Sequence, residues 1–440
     1  MVTTDKGRMN SKNWKYLLVL APILVLAVFL IVKSVNVPNW DEWELVPILQ
    51  HIHSGHIYWT DFWHQHNEHR LLIPNIILVT VAEFTRWNLR LEDYMNIVVA
   101  ILSFYIIYKI LKNTVLSKKQ KNLPVTLLFL LSLIWFSFVQ ADNWLWGWQI
   151  EWFLSVLGTT IVAYLLTKIN RNNFSIGQVG LLIAGGLFAQ YSLGNGTLVW
   201  PILVIALLYI RVPLKKVLIV ASSGILSTIL YYTNYQNQDK NALSVLAKHP
   251  VTFVKYFLIY VGRPLSYLHK GAPIIGVILL VSFVAINVYL FIRNKALFNK
   301  LIPWIFIGLY AISSAIITGL ARLSFGTGEA YVSRYTTISM LLVVSTIVIF
   351  YQSREDLSKL VGKSFKFLSL VTICIVFVLV LINDAWGFHD SLEHNRSLTA
   401  EMICTRLPNP SNACLLTAYP SAPVVSTRLN YLKQVHWGGY

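Results

Sequence analysis

The feature that most constrains this chain is the recurrence of apolar runs about 17 to 21 residues long, with continuously apolar stretches inside them such as LLVLAPILVLAVFLIV (17–32) and SLVTICIVFVLVLI (369–382). A helix of about 20 residues covers the ~30 Å hydrocarbon core of a bilayer, where every backbone N–H and C=O must be satisfied inside a helix or a closed barrel. Barrel strands alternate with period two, and these runs do not. The chain therefore reads as an all-α, polytopic membrane protein. Spans are expected near 14–35, 94–111, 123–139, 151–168, 174–190, 197–211, 214–233, 273–293, 301–320, 336–352 and 367–384, about eleven in all with a range of about 10 to 13. Two shorter apolar stretches, 71–85 and 251–262, lie between polar segments that must face the same side, so they read as helices in the membrane interface.

Basic residues test this topology, because Lys and Arg near span ends favour the cytoplasm. They cluster in alternate segments: the N-terminus, 112–121, 168–171, 211–216, 293–300 and 353–366. The same segments hold only three acids, Asp5, Glu355 and Asp356. This pattern puts the N-terminus in the cytoplasm of a plasma (inner) membrane protein, with the first loop (36–93) and the C-terminal tail outside. The net charge of +17 is spread over short loops rather than gathered in a basic domain, so it points to anionic lipid headgroups and away from nucleic acid. The first apolar run lacks a clear small-residue cleavage site, and no signal cleavage is expected. Residues 1–384 read as the transmembrane domain and 385–440 as a small external cap. In that cap Cys404 and Cys414 flank RLPNPSNA, where an oxidising compartment favours a disulfide, while Cys374 reads as a packing residue inside the last span.

Ionisable groups are costly near a bilayer and mark pathways or sites. They concentrate between Trp40 and Pro74, where five acids, six histidines, one arginine and four tryptophans occupy 35 residues. Asp41 and Glu42 follow the first span closely and can act as a general base toward a hydroxyl, or stand as ordinary solvated acids. Downstream, His66, Glu68, His69 and Arg70 open the first interfacial helix, and a guanidinium there suits a phosphate. A divalent metal is the competing reading, with His64, His66 and Glu68 as ligands, although the spacing matches no specific zinc motif.

The order of these features resembles the GT-C superfamily of integral membrane glycosyltransferases. The likeness is to the branch holding protein O-mannosyltransferases and the lipid A aminoarabinose transferase. It covers about the first 150 residues well. The resemblance implies that Asp41, with Glu42 beside it, is the catalytic acid of the first external loop. It implies that His69 and Arg70, with Pro74 after them, take the place of the segment that contacts lipid phosphate, although the family's double proline is absent. Asp142, with Trp144, Trp146 and Trp148, stands where the family often has another functional acid, and with Glu68 and His66 would meet the acceptor or sugar. Late in the chain Arg322, Arg334 and Tyr335 would bind the donor phosphate, with a headgroup snorkel as the alternative for Arg334.

The implied activity is transfer of a sugar from a polyprenyl-phosphate donor to a hydroxyl of a glycan, lipid or protein acceptor, by inverting displacement. No nucleotide and no required cofactor are implied. A transporter or flippase of lipid-linked sugars would instead carry ionisable residues within its spans and internal repeats. A glycan polymerase or ligase using pyrophosphate-linked donors would place its polar loop late in the chain. Both remain alternatives.

Overall fold

A computed structural model describes residues 16–115, 123–170, 174–236, 242–268 and 270–440. The basic N-terminus with Asp5, residues 116–121 of the second basic segment and Arg171 of the third lie outside the described residues. The fold is all-α, apart from one two-residue hairpin, β1 (Gln65–His66) and β2 (His69–Arg70). Helix α1 (Leu17–Lys33) leads into the first loop region, containing α2 (Val46–His53), α3 (Trp59–Trp63), the hairpin and α4 (Leu72–Thr85). There follow α5 (Arg90–Val115), α6 (Val125–Trp135), the short α7 (Ala141–Trp144), α8 (Ile150–Leu166), α9 (Ile176–Ser192), α10 (Val199–Ile210) and α11 (Leu214–Tyr231). Then come α12 (Ala242–Lys248), α13 (Pro250–Gly262), α14 (Gly271–Arg293), α15 (Lys295–Arg322), α16 (Thr336–Val361), α17 (Phe365–Thr405), α18 (Asn412–Ala418) and α19 (Ala422–Val435).

A helix lies over each of the eleven expected spans. Among the described residues seven helical stretches are long and apolar enough to cross a membrane, and the last, Ser333–Thr405, contains two of those spans. Burial separates the helices into layers. In α8 and the first half of α16 almost every side chain is buried whatever its direction, so both occupy the centre of the bundle. By contrast α1, α11 and α14 leave Leu24, Val28, Ile225, Ile229, Ile278 and Val281 exposed, which is the composition a lipid-facing helix needs. Helices α4 and α13, over the two shorter apolar stretches, measure about 21 and 20 Å by helical rise.

Glycine permits a close contact between α13 and α14. A Cβ on Gly262 of α13 would strike the Ala272 carbonyl of α14, and one on Gly276 of α14 would strike the Leu258 carbonyl of α13. Each glycine lets the other helix's backbone approach, the small-residue packing that replaces hydrophobic drive inside lipid.

The amphipathic segment 86–95 runs into α5, which starts at Arg90. Helix α17 runs on past 384, the end expected for the last span: it has 41 residues, about 60 Å and about twice a bilayer core, so its second half serves as the stem of the cap. Apolar periodicity ends where lipid ends, but helical backbone does not, and no proline or glycine breaker interrupts 365–405 beyond the tolerated Gly387. A disulfide joins Cys404 at the end of this stem to Cys414 in α18, with Cα atoms 5.9 Å apart. Helix α19 then folds back on α2 and the turn before it, where Arg428 forks onto Glu44 at 3.0 and 3.1 Å and Tyr419 donates to the same carboxylate at 2.6 Å.

Gly276→Leu should drive a side chain into the Leu258 backbone, and overpacking of this kind costs about 1–3 kcal/mol. A lowered melting midpoint in detergent is the expected outcome, with Gly180→Ala as the comparison, since nothing lies within 4 Å of a Cβ there. Equal midpoints would refute the contact. Peptide mapping without reduction is expected to recover Cys404 and Cys414 in one cross-linked product and Cys374 as a free thiol; free thiols in the tail would refute the bridge.

Candidate functional site

Local backbone geometry distributes the polar residues of the first loop. Trp40–Leu45 is a 3-10 turn, in which successive side chains point about 120° apart, so neighbouring acids separate. Asp41 faces a cavity, with Oδ1 3.4 Å from His66 Nε2. Glu42 turns inward and is buried: its carboxyl accepts the Asn39 N–H at 2.8 Å and the Trp148 N–H at 3.3 Å, tying the first loop to a second loop between α6 and α8. The sequence reading paired Glu42 with Asp41 as catalytic; the structure does not bring Glu42 to the cavity. Burial pushes its pKa from 4.5 to about 8, against the lowering effect of those backbone hydrogen bonds.

The hairpin makes the same kind of division with period two. His66 pairs with His69 and Gln65 with Arg70, so the two histidines share one face and Arg70 takes the other. His66 packs on Trp148, ring centroids 4.9 Å apart; with Nε2 protonated it donates to Asp41, and otherwise Nε2 accepts from Asn67, 3.0 Å away. His69 lines the cavity against Gly194, where a Cβ would come within 2.7 Å of Nδ1. Burial, with Arg322, His66 and Arg334 nearby, holds the His69 pKa down at about 3, so the imidazole is neutral and brings no charge to a phosphate.

Arg70 departs furthest from expectation. Its guanidinium donates to the carbonyls of Trp63 and Tyr231, each at 2.7 Å, and of Thr233, while its backbone N–H donates to Tyr231 Oη at 2.8 Å. It clamps the hairpin to the end of α11 and has no side chain left for the cavity.

The cavity holds about 180 Å³ of free space between the first loop, the start of α8, the Gly194–Leu198 turn and the segment from α15 to α16. Asp41 shares it with Arg322 and Arg334. Arg322 pairs with Glu68 of the hairpin turn. Arg334 reaches Glu329 at 2.7 Å, and Tyr335 donates to the same carboxylate oxygen at 3.0 Å. Tyr335 is itself wedged between Trp152 and Tyr260, ring centroids 5.5 and 5.4 Å away.

Of Trp144, Trp146 and Trp148, Trp148 alone lines the cavity, beside Trp152 of α8. Trp144 is fully buried, stacked on Phe153 and donating to the Ser137 carbonyl at 3.0 Å, and Trp146 is buried as well, so neither offers a face to a sugar. Their apolar area was better satisfied inside the bundle than at its surface. Asp142 opens on a different recess. His64 points outward and donates to the Asp61 carbonyl at 2.7 Å, apart from His66 and Glu68; among the described residues no three metal-ligating side chains converge.

Several cavity residues were missed by sequence reasoning. Glu151, in the first turn of α8, is buried with Oε2 unpartnered; an acid opening an apolar helix is a signal the sequence did carry. Tyr232 and Tyr235 come from the YYTNY segment after α11, and Asn195 from a Gly-Asn-Gly turn with no chemical signature.

No family model matches the chain and no curated protein matches it in sequence. Solved structures with a similar fold include the archaeal oligosaccharyltransferase AglB from Archaeoglobus fulgidus, in complex with an inhibitory peptide and a dolichol-phosphate. It has 12% identity and a TM-score of 0.48, with 86% of this chain and 56% of that one covered. Another is ArnT from Cupriavidus metallidurans bound to undecaprenyl phosphate, at 13% identity and a TM-score of 0.47, with 96% and 75% covered. The chain thus spans about half the length of the oligosaccharyltransferase.

Glu42 gives a pH test. A folded-state pKa of about 8 against 4.5 means that its contribution to stability is fully present below 4.5 and is lost as pH rises through about 8. The melting midpoint should therefore fall between about pH 5 and about pH 9. Glu42→Gln keeps one of the two acceptor contacts and should flatten that fall; equal slopes in the two proteins would remove Glu42 from it.

Proposed function

We propose that the chain is a GT-C-type glycosyltransferase that moves a sugar from a polyprenyl-phosphate donor to a hydroxyl acceptor on the external face of the plasma membrane, its N-terminus cytoplasmic and its C-terminal cap external. The observation that carries this reading is one cavity walled by a carboxylate of the first loop, Asp41, and by two arginines of the late loop, Arg322 and Arg334. A base and a paired cationic binding site within one cavity are what displacement of a phosphate by a hydroxyl needs.

Asp41 takes the proton of the acceptor hydroxyl as its oxygen bonds to the anomeric carbon. The bond from that carbon to the phosphate oxygen breaks, and polyprenyl phosphate leaves with the electron pair, its charge met by Arg322 and Arg334. One displacement inverts the anomeric centre. His66, in contact with Asp41, orients the carboxylate and can receive the proton from it, and Glu68 holds Arg322 in place. Two guanidinium groups suffice for a monophosphate leaving group, so no metal is required by the reaction as written. The acceptor is a glycan, lipid or protein carrying a free hydroxyl.

Asp41→Asn should leave insertion and folding intact and lower transfer by about 100-fold or more, the usual scale for a lost general base. Arg322→Ala and Arg334→Ala should each lower transfer by about 100-fold, chiefly through weaker use of the lipid donor. Arg70→Ala, in contrast, should lower the yield of folded protein. Transfer of a labelled sugar from synthetic polyprenyl-phosphate sugar into membranes is the measurement, repeated with chelator present. Near-normal transfer by Asp41→Asn would sink the assignment of the base, and loss of transfer on chelation would sink the metal-free displacement.

A further inference from the structure

The 3-10 turn Ser333–Tyr335 divides two cavities. Arg334 and Tyr335 face the cavity of Asp41, while Ser333 faces a second recess of about 230 Å³ bounded also by Asp142, Arg263, Tyr267 and Asp390. Arg263 is the unusual member. It is only 4% exposed, its Nε donates to the Tyr331 carbonyl at 3.1 Å, its guanidinium lies 4.1 Å from the centre of the Tyr267 ring, and its Nη1 is buried with no partner. A buried guanidinium donor left unmatched is destabilising unless something else accepts from it.

The chemistry around it narrows what that something is. Asp142 and Asp390 are close enough to bear electrostatically on Arg263, and two carboxylates against one guanidinium disfavour a phosphate or any other anion. Tyr267 stacks on Trp386 with centroids 5.7 Å apart and planes 15° from parallel, and Trp386 remains 47% exposed, so a flat aromatic surface stands beside the charged recess. Carboxylates that accept from hydroxyls, a guanidinium that donates to them and an aromatic face for C–H surfaces together fit a neutral polyhydroxylated ring.

We propose that this recess is a saccharide-binding subsite, and that the acceptor of the reaction is therefore a neutral glycan whose chain lies over Ser333 toward Asp41. The word acceptor rests on the proposed function; saccharide binding itself does not. The backbone N–H of Asp142 is held by Ser333 Oγ at 3.0 Å, independently of the Asp142 carboxylate, so Asp142→Asn alters the ligand surface without removing that tie.

The test uses the full-length protein in detergent without lipid donor, applied to an array of neutral and uronic-acid-containing oligosaccharides, followed by tryptophan-fluorescence titration with the best neutral binder. Neutral oligosaccharides are expected to bind, and Asp142→Asn, Asp390→Asn and Trp386→Ala are each expected to weaken binding by about tenfold or more, with unchanged gel-filtration profiles. Should one variant fail to fold, the other two carry the same expectation. Failure of all neutral oligosaccharides to bind, a preference for the acidic ones, or binding indifferent to these substitutions would overturn the subsite. Saccharide binding without any sugar transfer would leave the subsite standing and overturn the proposed function instead.

Discussion

The loop face that carries the cavity depends on one buried group, the Glu42 carboxyl. It receives a backbone N–H from each of two loops, at Asn39 and at Trp148, and Gly147 passes so close that a Cβ there would collide with Glu92 and approach Glu42 Oε1 to 3.2 Å. Glu92, Asp93 and Glu401 are buried within its electrostatic reach, so the start of α5 and the stem of the cap converge on the same point. A carboxyl kept neutral by burial at physiological pH can act as a hydrogen-bonding hub without the desolvation cost of a charge. Asp41, one residue earlier, is held at the cavity because Glu42 is held in the core.

The same economy recurs elsewhere: adjacent residues are assigned to structure and to site by the local turn or strand. Asp41 and Glu42 part in a 3-10 turn, His69 and Arg70 part across a hairpin, and Ser333 and Arg334 part between two cavities. In the first two pairs one member fastens the loop and the other faces open space, while Ser333 and Arg334 face one cavity each. Arg70 shows how complete the fastening is, since three carbonyls take up its guanidinium.

This division explains what could be read from the sequence. Long apolar runs are held in lipid as helices, so a helix over each expected span was legible from apolar length alone. Asp41, Arg322 and Arg334 were legible because charge beside a bilayer is rare enough to carry information. Direction was not. Whether a side chain in a DE or HR pair turns toward the cavity depends on a 3-10 turn and a two-residue hairpin, and neither leaves a strong periodic signature. The tryptophans of the second loop failed for a related reason: Trp144, Trp146 and Trp148 have the same composition signal, and only packing against Phe153 and His66 separates a core ring from a cavity wall. The subsite around Arg263 was invisible because its residues come from four separate segments.

The arginines of the cavity show how these fastenings bear on chemistry. Arg322 is matched by Glu68 and Arg334 by Glu329, so both remain oriented before any ligand arrives. Pre-orientation is worth most where charge develops during a reaction, because no reorganisation is then needed. The partners come from different places: Glu329 lies five residues before Arg334 in the same loop, whereas Glu68 belongs to the hairpin of the first loop. Arg334 is therefore set by its own loop, but Arg322 is set only when the first loop is docked, and that docking runs through Arg70 on one side and Glu42 on the other. Loosening the first loop would displace Asp41 and Arg322 together, so the cavity is whole or it is not assembled.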